Sequence, residues 1–275
     1  MKHSLVFNLI TGILYSTALL SITLLIFSAD ALGRPLNVEW RKIGDDLELA
    51  ELEVRTDSFW TPRLVLLKSS LRRYRPAVVR AGHYGWKSNN VRRLAEASGA
   101  VVVINASFFD EHSRPLGLVI NRGIVHNKLH RGGKALTGIL EITGSDVRIV
   151  SRDGYEAQAV REAIQAGPRL VSGGRPVPGM QNNTAVSRRS GVCLDSAGNL
   201  VLFCLSGGLS GISLPDLQKA LIETDCQDAL NFDGGGSSQL YLSPNLPGAA
   251  ANFEELYLAG RDDVPVGLGL FVDPY

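Results

Sequence analysis

Residues 230–242, Leu-Asn-Phe-Asp-Gly-Gly-Gly-Ser-Ser-Gln-Leu-Tyr-Leu, hold the densest chemistry in the chain. Glycine inside a strand costs roughly 0.5–1 kcal/mol relative to alanine. Three in a row between two apolar runs therefore imply that bare backbone is needed there. Successive glycines can turn several N–H groups into one concavity suited to an anion. Gly234, Gly235 and Gly236 would leave such a concavity open, and the hydroxyls of Ser237 and Ser238 would add donors. Asp233 ends the incoming strand and brings a carboxylate to the same place. The set suits a phosphate held beside a working carboxylate. A flexible hairpin turn is the plainer reading of the same residues. No Gly-Lys-Ser/Thr follows, so a nucleotide P-loop is not supported.

Two further groups accompany this motif. In Ile-Asn-Ala-Ser-Phe-Phe-Asp, Asn105 ends an apolar strand, where an amide can both donate to and accept from a sugar hydroxyl or phosphate oxygen. Phe108 and Phe109 offer a floor for a sugar, or two core aromatics. Arg169 stands where a predicted helix gives way to a strand, and Arg188 and Arg189 precede another strand. A guanidinium offers paired hydrogen bonds to an oxyanion that lysine cannot match. The five histidines have no zinc-site spacing, and no Gly-x-Ser-x-Gly elbow marks a serine hydrolase.

The elements that would position these residues follow from periodicity. Residues 46–54 alternate as a half-buried strand, and residues 100–110 form an apolar run expected of a strand buried on both faces. Tight turns are expected at Asn121-Arg122-Gly123 and Gly144-Ser145-Asp146. Helices are predicted in residues 88–100, capped by Ser88 and stopped by Gly99, in residues 154–167, and in residues 213–225, capped by Ser213. Residues 168–187, rich in Gly, Pro and Asn, read as a loop long enough for a lid or binding role. Many strands with about three short helices imply an α+β fold, a single domain with mixed or antiparallel sheets.

The chain has 275 residues, 45% hydrophobic, with a formal net charge of +1. That suffices for a real core and gives no sign of a nucleic-acid partner. Lys2 and His3 precede an uncharged apolar run through residues 5–27 and a small-residue site at Ala29-Asp30-Ala31. Residues 1–31 thus read as a secretory signal or an uncleaved membrane anchor. Either implies export to a periplasmic or extracellular setting, with membrane association through residues 5–27 if the anchor is kept. Residues 32–45 read as a linker and 46–275 as the exported domain. Three cysteines are too few for a disulfide scaffold. Counting back from the Ser-Ala-Gly-Asn turn sets Cys204 opposite Gly191, so a Cys193–Cys204 bridge is not expected and both read as core. Cys226 precedes the glycine motif. Asn105 and Asn182 each begin an Asn-x-Ser/Thr triplet, a glycosylation signal in a eukaryotic secretory route.

Taken in order, Ile-Asn-Ala-Ser-Phe-Phe-Asp, Ala-Gly-Pro-Arg-Leu-Val-Ser-Gly-Gly, Ser-Arg-Arg-Ser-Gly-Val-Cys-Leu-Asp and Asp-Gly-Gly-Gly-Ser-Ser resemble the phosphodiester glycosidase family. This is the family of N-acetylglucosamine-1-phosphodiester α-N-acetylglucosaminidase and its bacterial relatives. The resemblance covers roughly residues 75–273. It implies cleavage of a sugar–O–phosphate diester at the anomeric carbon, with a sugar phosphate or glycan as substrate. Catalytic roles then fall on Asp233, Asn105 and Arg169. Substrate binding falls on Gly234, Gly235, Gly236, Ser237, Ser238, Phe108 and one of Arg188 and Arg189. No cofactor is predicted, and a divalent metal stays open. Two departures bear on the substrate: Ala106-Ser107 stand where the family commonly has Gly-Gly, and Arg189-Ser190 where it often has Thr-Ala. No second carboxylate stands out, so neither retention nor inversion is implied. The alternative is a non-catalytic envelope module that binds phosphorylated or anionic glycans.

Overall fold

The computed structural model describes residues 38–56, 61–144, 146–156, 160–206 and 211–273. The predicted signal or anchor segment lies outside them. Among the described residues, no helix is long and apolar enough to cross a membrane.

The described residues form three antiparallel sheets. The first sheet begins with β1 (Arg41–Gly44), β2 (Leu47–Glu53) and β3 (Arg63–Ser69). The third takes β4 (Tyr74–Arg80) and β5 (Val102–Asn105). The second holds β6 (Val119–Asn121), β7 (Ile124–Asn127), β8 (Gly138–Thr143), β9 (Asp146–Ser151) and β10 (Glu162–Ala166). The chain then returns to the first sheet with β11 (Arg169–Ser172), β12 (Arg175–Pro176), β13 (Ser190–Asp195), β14 (Leu200–Leu205) and β15 (Cys226–Asn231). It finishes in the third with β16 (Leu240–Leu242), β17 (Leu256–Leu258) and β18 (Val266–Val272). Among the described residues the α-helices are α1 (Val91–Ser98) and α2 (Leu214–Glu223). The spatial orders are β1-β2-β3-β14-β13-β15-β11-β12, β7-β6-β10-β8-β9 and β17-β16-β5-β18-β4.

Side-chain alternation explains the layering. Val65 and Leu67 of β3 point into one core with Val192, Leu230, Ile104, Leu240, Leu268, Leu140 and Ile164, which joins all three sheets. Leu64 and Leu66 point the other way, with Leu217 and Leu221 of α2. On the far face of the third sheet, Val79, Val103 and Tyr241 meet Val91 and Leu94 of α1.

The fold is thus mainly β, not α+β, and every recorded strand pairing is antiparallel. Within the stretch 154–167, Glu162–Ala166 form the central strand β10 in place of the predicted helix. All five of its residues are buried between β6 and β8. Fully covered strands need no period-2 alternation, so composition alone mimics a helix there. Asn90, not Ser88, caps α1, accepting from Arg93 N at 3.0 Å. Ser213 caps α2 as expected. The loop expected from residue 168 begins as the β11–β12 hairpin, and β1 lies within the stretch read as a linker.

The cysteines also differ from expectation. Cys193 and Cys226 form a disulfide between β13 and β15, and Cys204 is the buried free thiol. Cys204 pairs with Ser190, because Asp195 and Asn199 bond to each other and shorten the turn by one residue.

Candidate active site

The glycine motif is where the chain leaves the first sheet for the third. Phe232 N donates to Ser190 O of β13 at 2.8 Å, and the next amide, of Asp233, donates to Ala106 O beyond β5 at 3.0 Å. Gly235 takes φ +61°, a left-handed conformation that favours glycine, and Gly235–Ser237 form one 3-10 turn. This answers why glycine is needed: the turn is pressed between neighbours. A Cβ on Gly234 would lie 2.9 Å from Arg188 O, and one on Gly236 would lie 2.1 Å from Asp262 Oδ2.

Four of the turn's amides are spent inside the protein. Gly234 N donates to Asp233 Oδ1 at 3.0 Å and Gly235 N to Arg188 O at 2.9 Å. Ser237 N and Ser238 N donate to Gly234 O and Gly235 O. The expected cradle of amides aimed at a ligand is therefore not formed by these four groups.

Asn105 organises the site from beneath. It is fully buried, its Nδ2 donates to Asp233 O at 2.8 Å, and its Oδ1 accepts from Ser190 Oγ at 2.8 Å and Gln239 N at 3.0 Å. It positions the turn, and its amide is closed to substrate and to glycosylation alike. Ser190 Oγ also donates to Asp233 O at 3.1 Å.

Asp233 carries the carboxyl at the turn. Burial pushes its carboxyl pKa up, hydrogen bonds from the Ser237 hydroxyl and Gly234 N pull it down, and the charge of Asp262 raises it further. Asp262 is the carboxylate that sequence reasoning missed. Arg261 N and Asp262 N donate to Gly236 O at 2.7 and 3.1 Å, which lays the Asp262 side chain against the bare α-carbon of Gly236. A signal was present: Asp262-Asp263 precede β18, whose Gly267 pairs with Asn105, so the acids reach the same end of the sheet.

The two arginines divide their work. Arg188 Nη2 donates to Ser238 O and Ala259 O, both at 2.9 Å, which ties the turn to the 259–262 segment. Arg189 Nη1 lies 3.6 Å from where a Cβ of Gly234 would stand, so this guanidinium faces the turn. Its other nitrogens donate to Ile212 O and Ala185 O, and burial lowers its pKa. Ser107 Oγ and Ser238 Oγ are buried with no hydrogen-bond partner. Arg169 is engaged elsewhere: Nη2 donates to Ser172 Oγ at 2.7 Å and lies 3.6 Å from Asp228 Oδ1. Phe108 lines an adjoining apolar cleft of about 260 Å³ with Leu116, His130 and Leu136. Among the described residues no cluster of His, Cys, Asp and Glu could hold a metal.

Because only the far end of the Asp262 side chain blocks a methyl group on Gly236, Gly236→Ala is expected to displace that carboxylate at small cost. The thermal midpoint should stay within a few degrees of wild type, since the stability loss is at most about 1 kcal/mol. The Asp233 carboxyl, followed by carbon-detected NMR, should titrate at lower pH because its like-charged neighbour has moved away.

A three-sheet antiparallel β fold with a carboxylate-bearing glycine turn at a sheet-to-sheet crossing defines the class. The phosphodiester glycosidase (NAGPA) family model matches residues 98–271, and the chain belongs to that family. The SPbeta prophage-derived uncharacterized protein YomE of Bacillus subtilis is 27% identical over 164 residues, which is 54% of this chain and 25% of that protein. The catalytic domain of zebrafish N-acetylglucosamine-1-phosphodiester α-N-acetylglucosaminidase, auto-inhibited by its pro-peptide, has a TM-score of 0.63 and 18% identity. That alignment covers 86% of this chain and 89% of the domain. A hypothetical protein from Synechocystis has a TM-score of 0.61 and 17% identity over 86% of this chain and 64% of that one. The two structures share the fold. The chain spans about a quarter of the Bacillus relative.

Proposed function

We propose that the protein is an exported hydrolase that cleaves a sugar-1-phosphodiester at the glycosidic C–O bond. Family membership supports a hydrolase of phosphodiester-linked sugars. The observation that carries the finer reading is the half-buried Asp233 carboxyl, whose pKa burial and the Asp262 charge raise, on a glycine turn that Arg189 also faces. A phosphate monoester leaves far more readily than an alcohol, so strong protonation of the leaving oxygen is less necessary than in ordinary glycosidases. The site instead needs charge compensation on the phosphate and a carboxylate near the developing oxocarbenium ion. Arg189 provides the first, as the guanidinium that faces the turn. Asp233 acts at the anomeric centre as base, nucleophile or charge stabiliser, and Asp262 holds its proton affinity up. The Cys193–Cys226 bridge supports an oxidising, extracytoplasmic setting.

The test is hydrolysis of a panel of UDP-sugars and sugar-1-phosphodiesters by the full chain, with products followed by phosphorus NMR. Release of free sugar and a phosphate monoester is expected. Saturable binding of the panel without turnover overturns the reading. Asp262→Asn removes a negative charge that raises the Asp233 pKa. The limb of the pH–rate profile set by Asp233 should therefore move to lower pH, and an unmoved limb counts against the pairing.

A further inference from the structure

We propose a second anion site, for a small phosphate monoester, in the cleft between edge strand β4 and the β6–β7 turn. The cleft has a volume of about 290 Å³ and shares no lining residue with the Asp233 turn. That is near the lower end of the ~300–1,000 Å³ typical of small-molecule sites. Arg80, Arg122 and Arg161 line it from three separate segments, with His83 and Tyr84 at its side. Among the described residues, none of these three guanidiniums has a carboxylate within ion-pair distance. The fourth arginine of the wall, Arg75, is matched by Asp273 at 3.5 Å.

The acid in the cleft, Glu162, is already spent on backbone and amide donors. Its Oε2 accepts from Val78 N at 3.1 Å and Asn121 Nδ2 at 3.0 Å, and its Oε1 accepts from Arg122 N at 3.0 Å. These bonds close the free edge of β4 and pin the turn, with no side-chain guanidinium among its partners. Arg80 Nη1 instead donates to His126 Nε2 at 3.0 Å, which requires that nitrogen to be unprotonated. Burial and the Arg80 charge lower the His126 pKa, with Glu162 opposing and His83 adding to the fall. Three guanidiniums against one carboxylate give the cleft a net positive charge, which concentrates anions.

Strain provides an independent pointer. Arg122 takes φ +55° at the first position of the Arg122-Gly123 turn. A left-handed conformation is strained for a non-glycine residue, and asparagine or glycine normally stands there. Keeping arginine at that corner places its side chain on the cleft wall at the expense of stability. Such strain gathers at ligand sites. The donors suit a tetrahedral dianion better than a planar carboxylate, because guanidiniums from three segments outnumber the two oxygens a carboxylate offers.

The test is calorimetric titration of the full chain with inorganic phosphate and, at equal ionic strength, with acetate. Phosphate is expected to bind at least tenfold more tightly than acetate. Arg122→Asn should weaken phosphate binding tenfold or more while raising the melting temperature by about 2–4 °C, the shift that relief of roughly 1 kcal/mol of strain gives. Arg161→Gln should weaken binding without that rise. Phosphate affinity unchanged in Arg122→Asn overturns the proposal, as does equal affinity for acetate or no phosphate binding at millimolar concentration. Binding at the Asp233 turn would survive both substitutions, so the two sites are told apart.

Discussion

Replacing Asp233 with asparagine is expected to reduce hydrolysis of an accepted sugar-1-phosphodiester by roughly 10²–10⁴-fold, the range for loss of a positioned acid or base. The protein should not lose stability. The carbonyl oxygen of asparagine can still accept from Gly234 N, which keeps the bond Asp233 Oδ1 makes at 3.0 Å. The linkage runs in the same direction. Burial raises the pKa of the folded carboxyl above its unfolded value, so the folded state retains a proton that the unfolded chain has lost. Stability therefore falls as pH rises from the unfolded pKa through the folded one, and beyond that the ionised group is a net cost. Asparagine removes the cost. The urea midpoint of Asp233→Asn at neutral pH should equal or exceed that of wild type, with the difference closing below about pH 4. Undiminished turnover, or a sharply lowered midpoint, would show that Asp233 is structural.

Asn105→Leu should have the largest effect on stability. It removes the donor to Asp233 O and the acceptor for Gln239 N and Ser190 Oγ at a point with no solvent access. Each orphaned group costs about 1–3 kcal/mol. Ser190 Oγ can still turn to Asp233 O, so the orphaned Gln239 N and the misfit of leucine set an expected loss of about 2–4 kcal/mol. Chemical denaturation measures it directly, and a loss under about 1 kcal/mol would refute the tether. Turnover should fall as well, since the same amide fixes where Asp233 leaves the backbone.

Much of this centre is legible in the chain because its parts are local. The apolar run into Asn105, the strands on either side of the glycines and the Ser213 cap each carry their signal within about ten residues. What escapes local reading is what depends on register between distant segments. Asp262 reaches the turn only through the amides of Arg261 and itself on Gly236 O. Asn105 looks like a mouth residue by its place at a strand end, yet the crossing of β15 into the third sheet covers it. Arg169 ends a strand too, but β15 supplies Asp228 as its ion-pair partner. The Cys193–Cys226 bridge follows from β13 lying between β14 and β15, an order that hairpin counting does not reach. For β10, burial on both faces erased the alternation that would have distinguished strand from helix.

Three adjacent glycines would ordinarily mark the most pliable part of a chain. Here they sit where two sheets are stitched together, Gly234 against the Arg188 carbonyl, Gly235 in a left-handed conformation and Gly236 against the Asp262 carboxylate. Loosening that stitch would mean parting both layers at once. The proposed site should accordingly breathe no faster than the body around it, and new specificities would have to be drawn from the surrounding rim.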